Sequence, residues 1–214
     1  MLEFLGRVLV EIIRWPVVLV WYAFGWRMES RFPNIDKYVV LGVPHTTNWD
    51  YFFMLIMALH ERRYPYVTAK HTLFKPPFGW FVRAVGGISI NRSLSQNVVD
   101  QIAERIRNTD RMMMVFTPEG TRSYRDRWKT GFYWTAHAAG VPVVCGYIDY
   151  ARKRCGSGLV LYPTGDIEAD FEQIKAYYEV WGRGKYPEKT NALRVEVQRP
   201  NGEAEESVSD AAKS

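Results

Sequence analysis

Apolar and polar positions alternate in two rhythms along this chain, and the changes of rhythm mark its elements. Short apolar runs at Lys37–Gly42, Tyr66–Ala69, Gly87–Asn91, Met112–Thr117, Val141–Ile148 and Leu159–Tyr162 read as strands, with another possible at Leu193–Val197. Helical periodicity fills the gaps between them. Asp50–Arg62 is strongly apolar (Phe52, Phe53, Leu55, Ile56, Leu59), and Pro76–Val85 opens at a first turn that tolerates proline. Ser95–Asn108 sets Val98, Val99, Ile102 and Ile106 on one face, and Thr130–Ala139 and Asp166–Trp181 complete the set. This alternation predicts a single α/β domain over residues 33–199, its largely buried sheet flanked by helices. Residues 200–214 are small, polar and acidic, the composition of a disordered tail. No internal repeat is visible.

Residues 1–32 have a different pattern. Glu3, Arg7, Glu11 and Arg14 share about one quarter of a helical wheel, while Phe4, Leu5, Val8, Leu9, Ile12 and Ile13 take much of the rest. The uncharged run Trp15–Trp26 falls short of the ~20 residues that span a bilayer. An amphipathic, membrane-associating helix followed by an aromatic-rich dip is the expectation. A signal peptide cleaved near Ala23-Phe24-Gly25 is disfavoured by Glu3, Glu11 and Arg14, and a helix packed on the protein's own core is the plainer alternative.

Composition sharpens this. Eight Trp and 15% aromatics exceed what a core needs and favour a lipid-facing protein. Net charge is +5, and residues 200–214 carry four acids against one lysine, so the body is more basic than the whole. A basic body suits phosphate groups, anionic lipid or an acidic carrier protein, and no nucleic-acid motif is present. The two cysteines, Cys145 and Cys155, lie in no metal-binding or redox spacing, and Cys145 falls in a core strand. A protein at the cytoplasmic face of a membrane, peripheral or monotopic, is the expectation.

The chemistry concentrates at strand ends. Pro44-His45-Thr46-Thr47-Asn48-Trp49-Asp50 follows the first strand. A histidine takes a proton near neutral pH, and a carboxylate beside it fixes its tautomer. A spacing of five does not bring two side chains together on a regular helix, so the chain must turn between them. Three blocks follow at later strand ends: Ala69-Lys70-His71 through Gly86-Gly87 to Asn91-Arg92, then Phe116-Thr117-Pro118-Glu119-Gly120-Thr121-Arg122-Ser123, then Gly140-Val141-Pro142-Val143-Val144. Lys70, Arg92 and Arg122 would bring cationic donors to a phosphate-bearing substrate, and Gly120 a close backbone approach.

With four blocks in this order over roughly residues 35–150, the chain resembles the glycerolipid acyltransferases, the bacterial lysophosphatidic acid acyltransferases and their relatives. The resemblance implies that His45 is the catalytic base and Asp50 its partner. It implies a phosphate site built by Arg92, Glu119, Gly120, Thr121 and Arg122, with Lys70 near the phosphate or oxyanion. It also implies acyl-CoA or acyl-carrier protein as co-substrate, a lysolipid as acceptor, and no bound metal or prosthetic group. Pro44 stands where many members have Asn, and Thr46-Thr47-Asn48-Trp49 departs from the usual interior, so the acceptor stays open.

The residues support direct transfer independently. No Gly-x-Ser-x-Gly elbow occurs and neither cysteine sits in a nucleophile motif. A thioester releases a thiol of pKa about 8.5, which needs little acid assistance. What remains necessary is a base for the acceptor hydroxyl and donors for the oxyanion. Rival readings are a different acceptor (a lyso-ornithine lipid, a sugar lipid or glycerol 3-phosphate) and a catalytically silent lipid-binding module. Trp49–Phe53 and Phe78–Phe81 are candidates for an acyl-chain wall. Arg125, Arg127, Lys129 and Arg152–Arg154 read as solvated charge, His60, His71 and His137 as structural, and Met112–Met114 as core.

Overall fold

The computed structural model describes residues 2–77, 79–84, 86–90 and 98–195. Among them lie strands β1 (Arg27–Met28), β2 (Lys37–Val43), β3 (Pro65–Lys70), β4 (Gly87–Ile90), β5 (Met112–Phe116), β6 (Val143–Asp149) and β7 (Arg154–Leu161). They form one sheet in the order β1-β7-β6-β2-β5-β3-β4. β6, β2, β5, β3 and β4 run parallel, and β7 runs antiparallel to β6. The helices are α1 (Leu2–Ala23), α2 (Trp49–His60), α3 (Gly79–Ala84), α4 (Val98–Arg107), α5 (Gly131–Ala139) and α6 (Ile167–Val180).

β2 shows why its sequence is a continuous apolar run. Successive strand residues face opposite sides. Val39, Leu41 and Val43 join Met112, Met114, Val143 and Cys145 on one face, under Ile102 and Ile106 of α4, Phe132 and Ala136 of α5, and Phe171 and Ile174 of α6. Tyr38 and Val40 join Met113, Val115, Val144 and Ile148 on the other, under Trp21, Trp26 and Met57 and Ala58 of α2. Both faces are covered, so both parities must be apolar. The sequence expectation of an α/β domain around a largely buried sheet holds.

Four details differ. β7 starts at Arg154, well before the expected Leu159, because Gly156 and Ser157 interrupt the apolar pattern that marks a strand. β1 is two residues long and pairs with β7 at Arg27↔Arg154 and Met28↔Cys155, too short to leave a period. α3 begins at Gly79, not Pro76, since Pro77 biases its predecessor away from helix and neither proline donates a backbone bond; a 3₁₀ turn, His71–Phe74, precedes it. Val195 makes a single bridge with Trp128 where a last strand was expected, and residues 196–197 lie outside the described part. The same holds for Asn91, the start of the Ser95–Asn108 helix and the tail at 200–214.

α1 continues through the expected dip as far as Ala23, and its described part faces the opposite way from the charge pattern. Arg14 is only 7% exposed, while Ile12 is 63% and Leu19 60% exposed, with Ile13, Trp15 and Val20 also in the open. Arg14, Val18 and Trp21 stand four and three residues apart on one stripe, and Val18 and Trp21 are buried with it. Trp21 stacks on Trp26 and meets Phe53 at a tilt, which fixes that stripe inward. The side chains of Glu3, Arg7 and Glu11 lie outside the described part.

Candidate active site

Because β3, β5, β2 and β6 are parallel neighbours, their carboxyl ends open on one edge of the sheet. β2 has β5 on one side and β6 on the other, so the chain leaving β2 emerges where the strand order reverses, the usual ligand crevice of such sheets. Pro44–Asn48 turns there and α2 begins at once.

The turn brings the i, i+5 pair together. Asp50, buried in the first turn of α2, accepts at Oδ2 the backbone N–H groups of Thr46 (2.8 Å) and Thr47 (2.9 Å). The carboxylate thus closes the loop backwards over itself, and His45 Nδ1 comes to rest 3.3 Å from the same oxygen. The position at a helix N-terminus adds favourable dipole to the buried charge. Asn48, suited by type to cap α2, makes no side-chain cap bond. Asp50 thus meets the histidine and the turn before α2, its bonded amides lying ahead of the helix and not within its first turn. His45 keeps 22% of its side chain exposed, so the ring remains reachable from outside.

Glu119 follows β5 and is buried. Its Oε2 accepts the backbone N–H of His45 at 2.9 Å. Burial first, and the nearby Asp50 charge second, push its carboxyl up to about 8, against the His45 N–H, which lowers it. Through this bond Glu119 holds the histidine's backbone. Next to it Gly120 adopts φ +65°, in the region that favours glycine, and its N–H donates to Thr117 O at 3.0 Å. Thr121 is half-buried and accepts the Ser123 N–H, while Arg122 is exposed at the same edge. Lys70 ends β3, paired with Ile90, and its side chain lies outside the described part, as does Arg92 altogether.

Sequence reading missed two contributors. Tyr150, directly after β6, donates its hydroxyl to Asp50 Oδ1 at 2.6 Å. Burial, followed by the bond to Asp50, holds that phenol far above its ordinary range. The second contributor is the stretch after α6. Gly182, at φ +86°, packs closely on Pro44, Gly184 leaves no room for a side chain against Thr46, and the Tyr186 N–H reaches Thr46 Oγ1 at 3.4 Å. Tyr150 N–H also donates to Arg183 O, so both missed pieces brace the same turn. A strand-end position beside β2 was the signal for Tyr150; residues 182–186 carry none.

Of the other histidines, His71 is exposed in the 3₁₀ turn and His137 Nδ1 lies 3.3 Å from Pro163 O. His60 does have a carboxylate, Glu61, at 2.7 Å from Nδ1, while Nε2 meets the Tyr22 hydroxyl at 2.8 Å. Both ring nitrogens are engaged, which fits a structural role. Arg125, Arg127, Lys129 and Arg152 are exposed. Burial pushes the Cys145 thiol up to about 12 and raises that of Cys155 as well, so neither offers a thiolate.

A family model described as Acyltransferase matches residues 27–149, from β1 to the end of β6. The chain belongs to the acyltransferase family. Over 87 residues it is 36% identical to the 1-acyl-sn-glycerol-3-phosphate acyltransferase of Saccharomyces cerevisiae, a match covering 36% of this chain and 28% of that protein. The chain thus matches less than a third of that relative's length. Its fold is similar to that of the 1-acyl-sn-glycerophosphate (LPA) acyltransferase PlsC from Thermotoga maritima, with a TM-score of 0.54 over 85% of this chain and 80% of the other. At 18% identity this second likeness concerns the fold. Of the two missed contributors, Tyr150 and residues 182–186 both fall beyond the stretch matched by the acyltransferase model.

Proposed function

We propose that this acyltransferase moves a fatty acyl group from acyl-CoA or acyl-carrier protein to the hydroxyl of a lysophosphatidic-acid-like lipid. His45 acts as general base and Asp50 orients it. The observation that carries this reading is the 3.3 Å approach of His45 Nδ1 to an Asp50 oxygen that two backbone amides already pin. The acceptor oxygen attacks the thioester carbonyl carbon as its proton passes to His45. The tetrahedral oxyanion then collapses, the C–S bond breaks, and the leaving thiolate recovers the proton. No covalent enzyme intermediate is needed, in keeping with two thiols held protonated by burial. Arg122, exposed beside Gly120, and Arg92 and Lys70 are assigned to the acceptor phosphate, with Thr121 and Gly120 shaping its backbone cradle.

The same reading places the protein on the cytoplasmic face of a membrane. No helix among the described residues is long and apolar enough to cross one. The outward side of α1 is nonetheless apolar (Ile12, Ile13, Trp15, Leu19, Val20), and Trp49 and Phe52 of α2 and Trp80 and Phe81 of α3 are exposed too. Such a surface suits the interfacial zone, where indole rings gain from both phases. The basic body fits a soluble anionic donor approaching from the aqueous side.

Free thiol appearing when the protein, acyl-CoA or acyl-carrier protein, and lysophosphatidic acid are mixed tests the reading. Binding of lysolipid vesicles without thiol release would instead favour a silent lipid-binding module, and release only with another acceptor would reassign the substrate.

A further inference from the structure

Asp50 has two oxygens, and the catalytic scheme uses one. Oδ2 takes the Thr46 and Thr47 amides and faces His45, while Oδ1 receives the Tyr150 hydroxyl at 2.6 Å. A carboxylate held by one oxygen can still turn about its Cβ–Cγ bond; a donor on the second oxygen stops that rotation. Tyr150 is itself fixed. Its ring meets Trp26 edge-on at 5.3 Å and Phe53 at 5.4 Å, and its N–H is bound by Arg183 O. Three independent elements, the segment after α1, helix α2 and the stretch after α6, therefore converge on the aim of one hydroxyl.

We infer that Tyr150 is a positioning residue for acyl transfer, holding the Asp50 carboxylate so that Oδ2 faces His45 Nδ1 through the reaction. It acts through Asp50 and not on substrate. By sharing the carboxylate's charge it also limits how strongly Asp50 stabilises the imidazolium, easing return of the proton to the leaving thiolate. The charged and titratable groups around this contact are His45, Glu119, whose carboxyl feels Asp50, and Tyr186, which faces Tyr150. The inference rests on the base role proposed for His45.

Tyr150→Phe keeps the ring in its aromatic box and removes only the hydroxyl. With acyl-CoA and lysophosphatidic acid as substrates, kcat is expected to fall about tenfold to a hundredfold, the scale of a hydrogen bond to a charged group, with acceptor KM nearly unchanged. The acid limb of the kcat/KM–pH profile should move to higher pH, because a less shared Asp50 charge favours the protonated ring. In a His45→Ala background the same substitution should cost nothing further, since a residue acting through the dyad has nothing left to act on. An unchanged kcat and profile in Tyr150→Phe, beside an inactive His45→Ala, would overturn the role of Tyr150 alone. Full turnover by His45→Ala would overturn the base reading beneath it. If Tyr150→Phe loses its circular-dichroism signature, 3,5-difluorotyrosine at position 150, a stronger donor on the same ring, replaces it. The acid limb should then move the other way, and a profile matching the parent would overturn the inference.

Discussion

The backbone N–H of His45 donates to Glu119 Oε2 across 2.9 Å, joining residues 74 positions apart. It ties the loop after β2 to the loop after β5, so the histidine's main chain is positioned by an acid that the sequence suggested for phosphate contact. Removing that acid should therefore act first on the fold of the loop. Glu119→Ala leaves a buried N–H without its partner, at a cost of about 1–3 kcal/mol. Thermal melts of Glu119→Ala and Glu119→Gln at pH 4, where the parent's acid is neutral, check this; Gln keeps an acceptor and should recover much of the loss.

Glu119 also makes stability depend on pH. Its carboxyl ionises at about 8 in the fold against 4.5 when free. Between those values the folded chain keeps a proton the unfolded chain has released, so stability falls as pH rises through this window and levels off above it. Glu119→Gln cannot titrate. Its Tm should exceed that of the parent at pH 9, by a few degrees in order of magnitude, with no advantage at pH 4. Equal differences at both pH values would show that Glu119 is already ionised without penalty.

His45→Ala is the direct probe of the chemistry. Proton abstraction by a placed base contributes about 10²- to 10⁴-fold, so acyl transfer should drop by roughly a thousandfold. The ring is partly exposed and the backbone bond to Glu119 survives the substitution, so Tm should move little. Thiol release measured with a chromogenic disulfide, alongside a melt, separates lost catalysis from lost fold.

Gly120→Ala tests the backbone of the same edge. At φ +65° the nearest atoms an added Cβ would meet are those of the flexible Lys129 stem, at 3.4 Å, so the cost lies in the backbone and not in a clash. A left-handed residue other than glycine costs about 1–2 kcal/mol. A melt should register this loss, and acceptor KM should rise if the loop cradles phosphate. A KM that stays constant despite the lower Tm would separate Gly120 from acceptor binding.

How much of this was legible beforehand follows from what each feature leaves in the sequence. β2, β5 and β6 are buried on both faces and so announce themselves as unbroken apolar runs. His45 and Asp50 stood out because their spacing demanded a turn. Glu119 was found, but which atom it would hold depends on β5 lying beside β2, a register no local pattern encodes. Tyr150 and Gly182–Tyr186 reach the site only through strand order and a returning chain, so their chemistry is ordinary in sequence and specific in space. α1 misled for a related reason. A wheel shows where the charges are, but Val18 and Trp21 decide which side turns inward.

That orientation of α1 yields the last prediction. If Ile12, Trp15 and Leu19 face the bilayer, replacing apolar area there with charge should weaken membrane binding without unfolding the domain, since none of the three is buried. Fully burying a large apolar side chain contributes about 1.5–3 kcal/mol, so Trp15→Glu with Leu19→Glu should reduce partitioning onto anionic vesicles by at least tenfold. Sedimentation with vesicles of phosphatidylglycerol and phosphatidylethanolamine measures it, with a melt as control. Val18→Glu, on the inward stripe, should do the reverse, lowering Tm by several degrees through a buried unpaired charge. Were the helix instead packed against the protein's own core through its apolar side, the outward pair would lower Tm and the Val18 variant would be tolerated. The two variants together read the orientation of α1 in solution.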